Sequence, residues 1–110
     1  MKEFYLLIDD VRIVEGMDVT VRTSPEGRKA LLSYPVTHLV LDNDLGSDQD
    51  MEGIEILQWA RDRGCIPDNV SIISANPVAK KRMEDVLYFD MKYIHDRSSG
   101  WWRKQNDETN

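Results

Sequence analysis

The sequence predicts a doubly wound α/β fold, in which an open sheet of five parallel strands carries helices on both faces. Short apolar runs alternate with segments of helical periodicity along the chain, which is typical of such folds. Most of these runs are almost continuously apolar, as expected for parallel strands that are covered on both sides. The strands are predicted at 4–9, 18–23, 38–42, 70–74 and 92–96.

The connection between the first two strands is too short for a complete helix. Residues 10–17 join the apolar strand 4–9 to the alternating strand 18–23, whereas a crossover between parallel strands needs about a dozen residues and usually a helix. We therefore expect the first helix of the fold to be shortened or missing.

Three helices are predicted between the later strands. The first begins at the N-cap Ser24, because a proline and an acidic residue follow it at positions that favour a helix start. The second covers 53–63, with apolar residues at helical spacing and Gly64 as the C-terminal cap. The third runs from the N-cap Asn76 to about Leu87. The last helix of the fold is expected to be shortened or missing.

Length, charge and composition fit one small acidic domain. The chain has 110 residues, of which 41% are hydrophobic, and this is enough for a single core. We expect the domain to cover 1–97 and residues 98–110 to form a polar C-terminal tail. The formal net charge of −6 argues against bulk binding of nucleic acid, because attraction to phosphates needs clustered Lys and Arg.

Cysteine content and hydropathy exclude several classes of protein. Cys65 is the single cysteine, so an internal disulfide and a cysteine metal site are both excluded. No segment resembles a signal peptide, and no apolar run approaches the ~20 residues of a membrane span. We therefore expect a cytoplasmic protein without a membrane partner.

Acidic or polar residues follow three of the predicted strands. They are Asp9 and Asp10 after the first strand, Asp42 and Asp44 after the third, and Ser74 after the fourth. The carboxyl ends of parallel strands meet at one edge of a sheet, so we expect these side chains to lie close together. Crowded carboxylates repel unless a cation neutralises them, and oxygen ligands without Cys or His favour a hard ion. The sequence therefore predicts a site for Mg²⁺, or for another divalent cation such as Mn²⁺.

The order and spacing of these residues resemble the receiver domain of two-component response regulators. The resemblance implies a flavodoxin-like strand order, 2-1-3-4-5, and a Mg²⁺ site formed by Asp9, Asp10 and Asp42. It also implies that Asp42 is the phosphoacceptor, that Asp44 provides a ligand to the ion, and that the Ser74 hydroxyl bonds a phosphoryl oxygen. A carboxylate beside Mg²⁺ is suited to attack phosphorus, because the metal screens the charge that develops.

The end of the fifth predicted strand departs from the receiver pattern. Receivers carry a Lys there, usually followed by Pro, whereas this chain has Ile94-His95-Asp96-Arg97. Arg97 and His95 are the alternatives for the missing cation.

A narrower resemblance, to the cyclic-phosphate-processing receiver domains, accounts better for these departures. Members of that family are small, often stand-alone domains that have been proposed to act on cyclic phosphates. The match rests on residues 9–12, 41–46, 74–77 and Arg82-Met83, and the wider receiver resemblance adds Met51-Glu52-Gly53 at the start of a helix.

Three functions are open on this sequence, and each implies a different partner. The first is a Mg²⁺-assisted phosphoesterase that acts on a small phosphorylated ligand, either a cyclic phosphate or a nucleotide. Its catalytic residues would be Asp42, as nucleophile or metal ligand, and three residues that stabilise the phosphate: Arg12, Ser74 and Arg97. The second is a stand-alone receiver that accepts phosphate on Asp42 in a phosphorelay. The third is a catalytically inactive module that binds another protein.

Two further alternatives concern the role of Arg12 and a fourth, least favoured function. Arg12 is either a phosphate ligand or simply a local ion pair with the acids beside it. A topoisomerase-primase-like acidic site ranks last among the functions, because the Glu-Gly expected after the first strand is missing.

Overall fold

A six-stranded sheet forms the centre of the computed structural model, which describes residues 2–45 and 51–105. The strands are β1 (Tyr5–Ile8), β2 (Val19–Val21), β3 (His38–Leu41), β4 (Asn69–Ile72), β5 (Tyr93–Asp96) and β6 (Trp101–Lys104). The helices are α1 (Ser24–Ser33), α2 (Gly53–Arg63) and α3 (Pro77–Asp85), and a π-helical turn, Val86–Asp90, continues α3. The predicted α/β class is confirmed. None of the described helices has the length and apolar character needed to cross a membrane.

The centre of the sheet forms from the apolar runs that the sequence marks as buried strands. Parallel pairing places Leu6 of β1 beside Leu39 of β3, and Leu39 beside Val70 of β4. All three side chains are fully buried, and their burial provides much of the driving force for this pairing. β2 pairs parallel with the other side of β1, so the order β2-β1-β3-β4 is as predicted.

The predicted five-stranded order is wrong beyond β4. β6 lies between β4 and β5 and runs antiparallel to both. Gly100, with a φ of 84°, lies in the turn that reverses the chain, a conformation that favours glycine. Trp102 of β6 packs against the hydrophobic core, which stabilises the strand in this position. Residues 101–104 therefore belong to the sheet and not to the polar tail expected over 98–110, of which 106–110 lie outside the described residues.

All three helices pack on the same face of the sheet, whereas the sequence predicted helices on both. Their buried residues share one core with Leu6, Leu39 and Val70. The connections through α1, α2 and α3 all cross the sheet in the same direction, and right-handed crossovers then place the helices on one side. The connection 9–18 between β1 and β2 contains no helix, in agreement with the prediction that the first helix is missing.

Aromatic side chains cover part of the face that lacks helices. His38 stacks on Tyr5 with ring centroids 4.3 Å apart, and Trp101 of β6 meets both rings edge-on, at 4.9 Å from His38. Burial lowers the pKa of His38, so its neutral form is favoured here. Trp102 thus packs against the core on one face of the sheet, and Trp101 belongs to an aromatic cluster on the other.

The helix termini follow the predicted signals with one exception. Thr23, rather than Ser24, is the N-cap of α1, because its Oγ1 accepts a hydrogen bond from the backbone N–H of Glu26 at 3.3 Å. Asn76 caps α3 as predicted, and Gly64 ends α2 with a φ of 72°. Ser24 is instead the first helical residue and is buried.

Candidate metal and phosphate site

The pairing of β1 with β3 brings the first two acidic segments together. Ile8 is the register partner of Leu41, and the backbone N–H of Asp42 donates to the Ile8 carbonyl at 3.0 Å, so Asp9 and Asp42 leave neighbouring strands side by side. One carboxylate oxygen from each of Asp9, Asp10 and Asp42 lies within 4.8 Å of the other two. The structure therefore collects three carboxylates at the carboxyl edge of the sheet, as the sequence predicts.

Asp9 is fully buried, but hydrogen bonds compensate the negative charge of its carboxylate. Its Oδ1 accepts hydrogen bonds from the backbone N–H groups of Val11 and Arg12, both at 2.9 Å, and its Oδ2 accepts one from Arg12 Nη1 at 2.8 Å. Burial by itself raises the pKa of Asp9, but these hydrogen bonds outweigh burial and hold the pKa below its ordinary value. Asp9 is thus a fixed, ionised group.

Arg12 is the cation of this cluster. Its Nη1 lies 2.8 Å from Asp9 Oδ2 and 3.6 Å from Asp42 Oδ2, and the side chain is 37% exposed. The hydrogen bond to Asp9 raises the pKa of Arg12 further. The local ion pair considered for Arg12 is therefore present, and the side chain as a whole stays partly exposed.

The negative charge of Asp42 is compensated less well by its surroundings than that of Asp9. The residue is only 5% exposed, and burial, followed by the charge of Asp9, raises its pKa despite the opposing effects of Arg12 and of hydrogen bonds from the backbone N–H groups of Asn43 and Asp44. A buried carboxylate with a raised pKa gains the most from an added positive charge nearby.

The backbone behind Asp42 is held by two residues that the sequence analysis did not single out as site residues. The Asn43 side-chain oxygen accepts the backbone N–H of Ile54 at 3.1 Å, and its carbonyl accepts the N–H of Gly53 at 2.9 Å. A Cβ on Gly53 would lie 2.2 Å from the Asp42 carbonyl oxygen, so only glycine fits there. In the sequence, the receiver-like segment Met51-Glu52-Gly53 pointed to this position. It did not show that Gly53 lies against the Asp42 carbonyl.

Asp44 and Ser74 lie at the same edge of the sheet as Asp42, but their side chains make different contacts. Asp44 is exposed and is not one of the three clustered carboxylates; its Oδ1 lies 3.3 Å from the Asn43 amide nitrogen. Ser74 follows β4, and its Oγ accepts the backbone N–H of Asn76 at 3.1 Å. Gly46, which belongs to the receiver-like pattern, lies outside the described residues.

Arg97 and His95 are not beside the acidic cluster. They belong to the end of β5, and β6 separates β5 from β4. With strands about 4.8 Å apart, β5 lies roughly 14 Å from β3. His95 is exposed and stacks on Trp102 with centroids 4.8 Å apart, and Arg97 is exposed. In the described part of the site, the positive charge comes from Arg12, which follows β1. The antiparallel strand β6 lies between β4 and β5 and so moves β5 away from the site.

Comparison with known proteins bears on the fold and on the family. A family model described as "Cyclic-phosphate processing Receiver domain" matches residues 4–89. A solved structure of the response regulator MaeR bound to beryllium trifluoride is similar, with a TM-score of 0.56 and 21% sequence identity, and the match covers 86% of this chain and 82% of that chain. No curated protein matches the chain. The likeness to MaeR shows a shared fold, and the match over residues 4–89 shows that this chain belongs to the cyclic-phosphate processing receiver family.

Proposed function

We propose that this domain holds Mg²⁺, or another divalent cation such as Mn²⁺, between Asp9, Asp10 and Asp42 and hydrolyses a cyclic phosphate or nucleotide beside it. The observation that supports the proposal is the convergence of three carboxylates within 4.8 Å, two of them buried. Arg12 supplies one positive charge for the three, and carboxylates this close and this buried call for more. The family description supports the class of substrate.

The donor set fits a hard cation. All three groups are carboxylates, and no Cys or His belongs to this cluster of described residues. A divalent ion in this place would act as a Lewis acid that polarises a phosphoryl oxygen and screens the developing charge. A ligand contribution from Asp44, from its side chain or its carbonyl, stays part of the proposal.

The two buried carboxylates have different roles in this scheme. Asp9 is locked by three hydrogen bonds and serves as a rigid ligand that does not turn toward the substrate. Asp42 is held less tightly and lies 3.6 Å from Nη1 of the partly exposed Arg12, so in this proposal it acts as nucleophile or as the ligand nearest to the phosphate.

Arg12 and Ser74 bind the phosphate in this scheme. The Arg12 side chain is partly exposed, and besides Nη1 its guanidinium has further N–H donors in the planar arrangement that suits phosphate oxygens. The Ser74 hydroxyl stands at the end of the neighbouring strand β4. Hydrolysis of a cyclic phosphate forms, overall, one bond between a water oxygen and phosphorus and breaks one ring P–O bond, and a proton from that water passes to the released oxygen to give a phosphate monoester. Where Asp42 attacks first, its bond to phosphorus forms as the ring P–O bond breaks, and water then cleaves it.

A second candidate function is a receiver that accepts a phosphoryl group on Asp42. The position of Asp42 at the end of β3 in a receiver fold favours it. The location of Arg97 and His95, on the far side of β6, argues against the arrangement in which a cation from the fifth strand contacts the phosphoryl group. Binding of another protein and a cytoplasmic location stay predictions.

The two functions are separated by one set of assays on the purified protein. We expect Mg²⁺-dependent hydrolysis of a nucleoside 2′,3′-cyclic phosphate by the wild type, its loss in Asp42→Asn, and wild-type activity in the control Asp62→Asn on the exposed side of α2. Transfer of label from acetyl phosphate to Asp42, without hydrolysis, would favour the phosphorelay function instead. If neither reaction occurs in a folded protein, the binding module is the function left.

A further inference from the structure

We propose that Arg22 is a positioning residue of the acidic site, which holds the turn 9–12 in the conformation that directs Asp10 and Arg12 toward Asp42. The proposal rests on the proposed function, because it concerns the same metal site. Arg22 belongs to none of the acidic or receiver-like motifs, and its role follows from long-range contacts alone.

The parallel pairing of β1 and β2 places Arg22 beside the turn. Val21 is the register partner of Ile8, and the backbone N–H of Asp9 donates to the Val21 carbonyl at 3.2 Å. Arg22 is the next residue after β2, so its side chain starts from the same edge of the sheet as the three carboxylates. It is half-buried, and its flexibility is correspondingly restricted.

The guanidinium of Arg22 joins the two ends of the turn. Its Nη1 donates to the backbone carbonyl of Asp9 at 3.1 Å and to that of Arg12 at 2.5 Å. On the other side of the turn, Asp9 Oδ1 accepts the N–H groups of Val11 and Arg12. The turn is therefore closed from both sides, and Arg22 supplies the side-chain hydrogen bonds that join its two ends from outside.

This turn carries most of the charged groups of the site. Asp9, Asp10 and Arg12 all lie on it, and among the described residues of the cluster Asp42 is the one that comes from another strand. Metal ligands have to be held within about 0.5 Å of a productive position, so a looser turn would misplace three groups at once. Residues that support metal ligands typically change metal affinity by about 10- to 100-fold when they are replaced.

The direction of the change in Mg²⁺ affinity distinguishes a positioning role of Arg22 from a purely electrostatic one. Removal of a cation near three carboxylates should, through electrostatics alone, make Mg²⁺ bind more tightly. Loss of positioning has the opposite effect and weakens binding. A purely structural role would lower the free energy of unfolding but leave the Mg²⁺ affinity of the folded protein unchanged.

The test is calorimetric titration of the purified protein with Mg²⁺. We expect Arg22→Gln to bind Mg²⁺ about tenfold more weakly than the wild type, with circular dichroism showing an intact fold. Arg22→Lys keeps the charge and some donor capacity, and its affinity should fall between the two. Lys29→Gln on α1 removes the same charge from an exposed position and should leave the affinity unchanged or slightly higher. Unchanged or tighter binding by Arg22→Gln would overturn the proposal.

A second measurement keeps the role of Arg22 separate from the existence of the metal site. In metal-free protein, amide hydrogen exchange of Val11 and Arg12 should become at least about tenfold faster in Arg22→Gln, because the turn opens more often. The same amides should be unaffected in Lys29→Gln. If the wild type binds no Mg²⁺, the proposed function fails, and the exchange rates still show whether Arg22 holds the turn. Unchanged protection of both amides would refute it.

Discussion

The substitution Gly53→Ala tests how the helix layer positions Asp42. Gly53 is the first residue of α2 and is buried against the loop after β3. An alanine Cβ would lie 2.2 Å from the Asp42 carbonyl oxygen and 2.8 Å from Asn43 Cα, whereas ordinary contacts begin at 3.4 Å. Both obstacles are backbone atoms, so a side-chain rotation cannot relieve the clash. The start of α2 and the Asp42 loop must move apart by about 1 Å.

The cost of this movement follows from the contacts that it disturbs. Overpacking of a tight site costs about 2 kcal/mol, and weakening of the hydrogen bond between the Gly53 N–H and the Asn43 carbonyl adds about 1 kcal/mol. We therefore expect the free energy of unfolding to fall by about 3 kcal/mol, a large part of the stability of a small domain. Because Asp42 moves with the loop, Mg²⁺ should also stabilise the variant less than the wild type.

Urea unfolding followed by circular dichroism, with and without Mg²⁺, measures both effects. Gly27→Ala is the matched control, because it also adds a methyl group to a buried helical glycine but meets mainly the end of a side chain, with Ile8 Cδ1 at 2.7 Å. Ile8 can adjust, and alanine favours a helix, so the control should stay within about 1 kcal/mol of the wild type. A Gly53→Ala protein as stable as the wild type would refute the close approach of α2 to Asp42.

Two further predictions concern charge. Arg12→Gln should bind Mg²⁺ about tenfold more tightly, because the guanidinium 2.8 Å from Asp9 and 3.6 Å from Asp42 no longer opposes the ion; weaker binding in the calorimeter would contradict this. His38 has a lowered pKa in the folded state, so the unfolded chain takes up a proton at higher pH than the folded one. Its contribution to stability should therefore be present above about pH 6.5, the ordinary His pKa, and be lost progressively as the pH falls below it, for example between pH 7 and pH 5. Urea midpoints at both pH values should show a smaller loss in His38→Phe, which keeps the stacking on Tyr5, than in the wild type.

Local patterns were enough to predict the parts of the fold that lie next to the site. The apolar runs that became β1, β3 and β4 contain enough hydrophobic surface to define buried strands without reference to the rest of the chain. Asn76 caps α3 because an N-cap needs only a side chain and the two N–H groups that follow it. The convergence of Asp9 and Asp42 then follows from the geometry of parallel strands.

Other parts depended on competition between distant segments. Thr23 and Ser24 are both acceptable caps, and the burial of Ser24 decides between them. The position of β6 between β4 and β5 depends on the packing of the partly buried Trp102 against the core, a tertiary contact that no local pattern reveals. That insertion in turn moved Arg97 away from the place where the receiver resemblance had put it.

The sequence by itself determined which acidic side chains follow neighbouring strands, because residue type and strand-end position are local properties. It determined the acidic triad Asp9, Asp10 and Asp42 and the kinship with the family. Only the tertiary structure decided which cation faces them and what holds the turn in place. The Arg12 ion pair with Asp42 and the Arg22 hydrogen bonds to the turn form once β1, β2 and β3 are side by side. Such contacts depend on the relative placement of strands, which the order of residues along the chain specifies only through the whole folded structure.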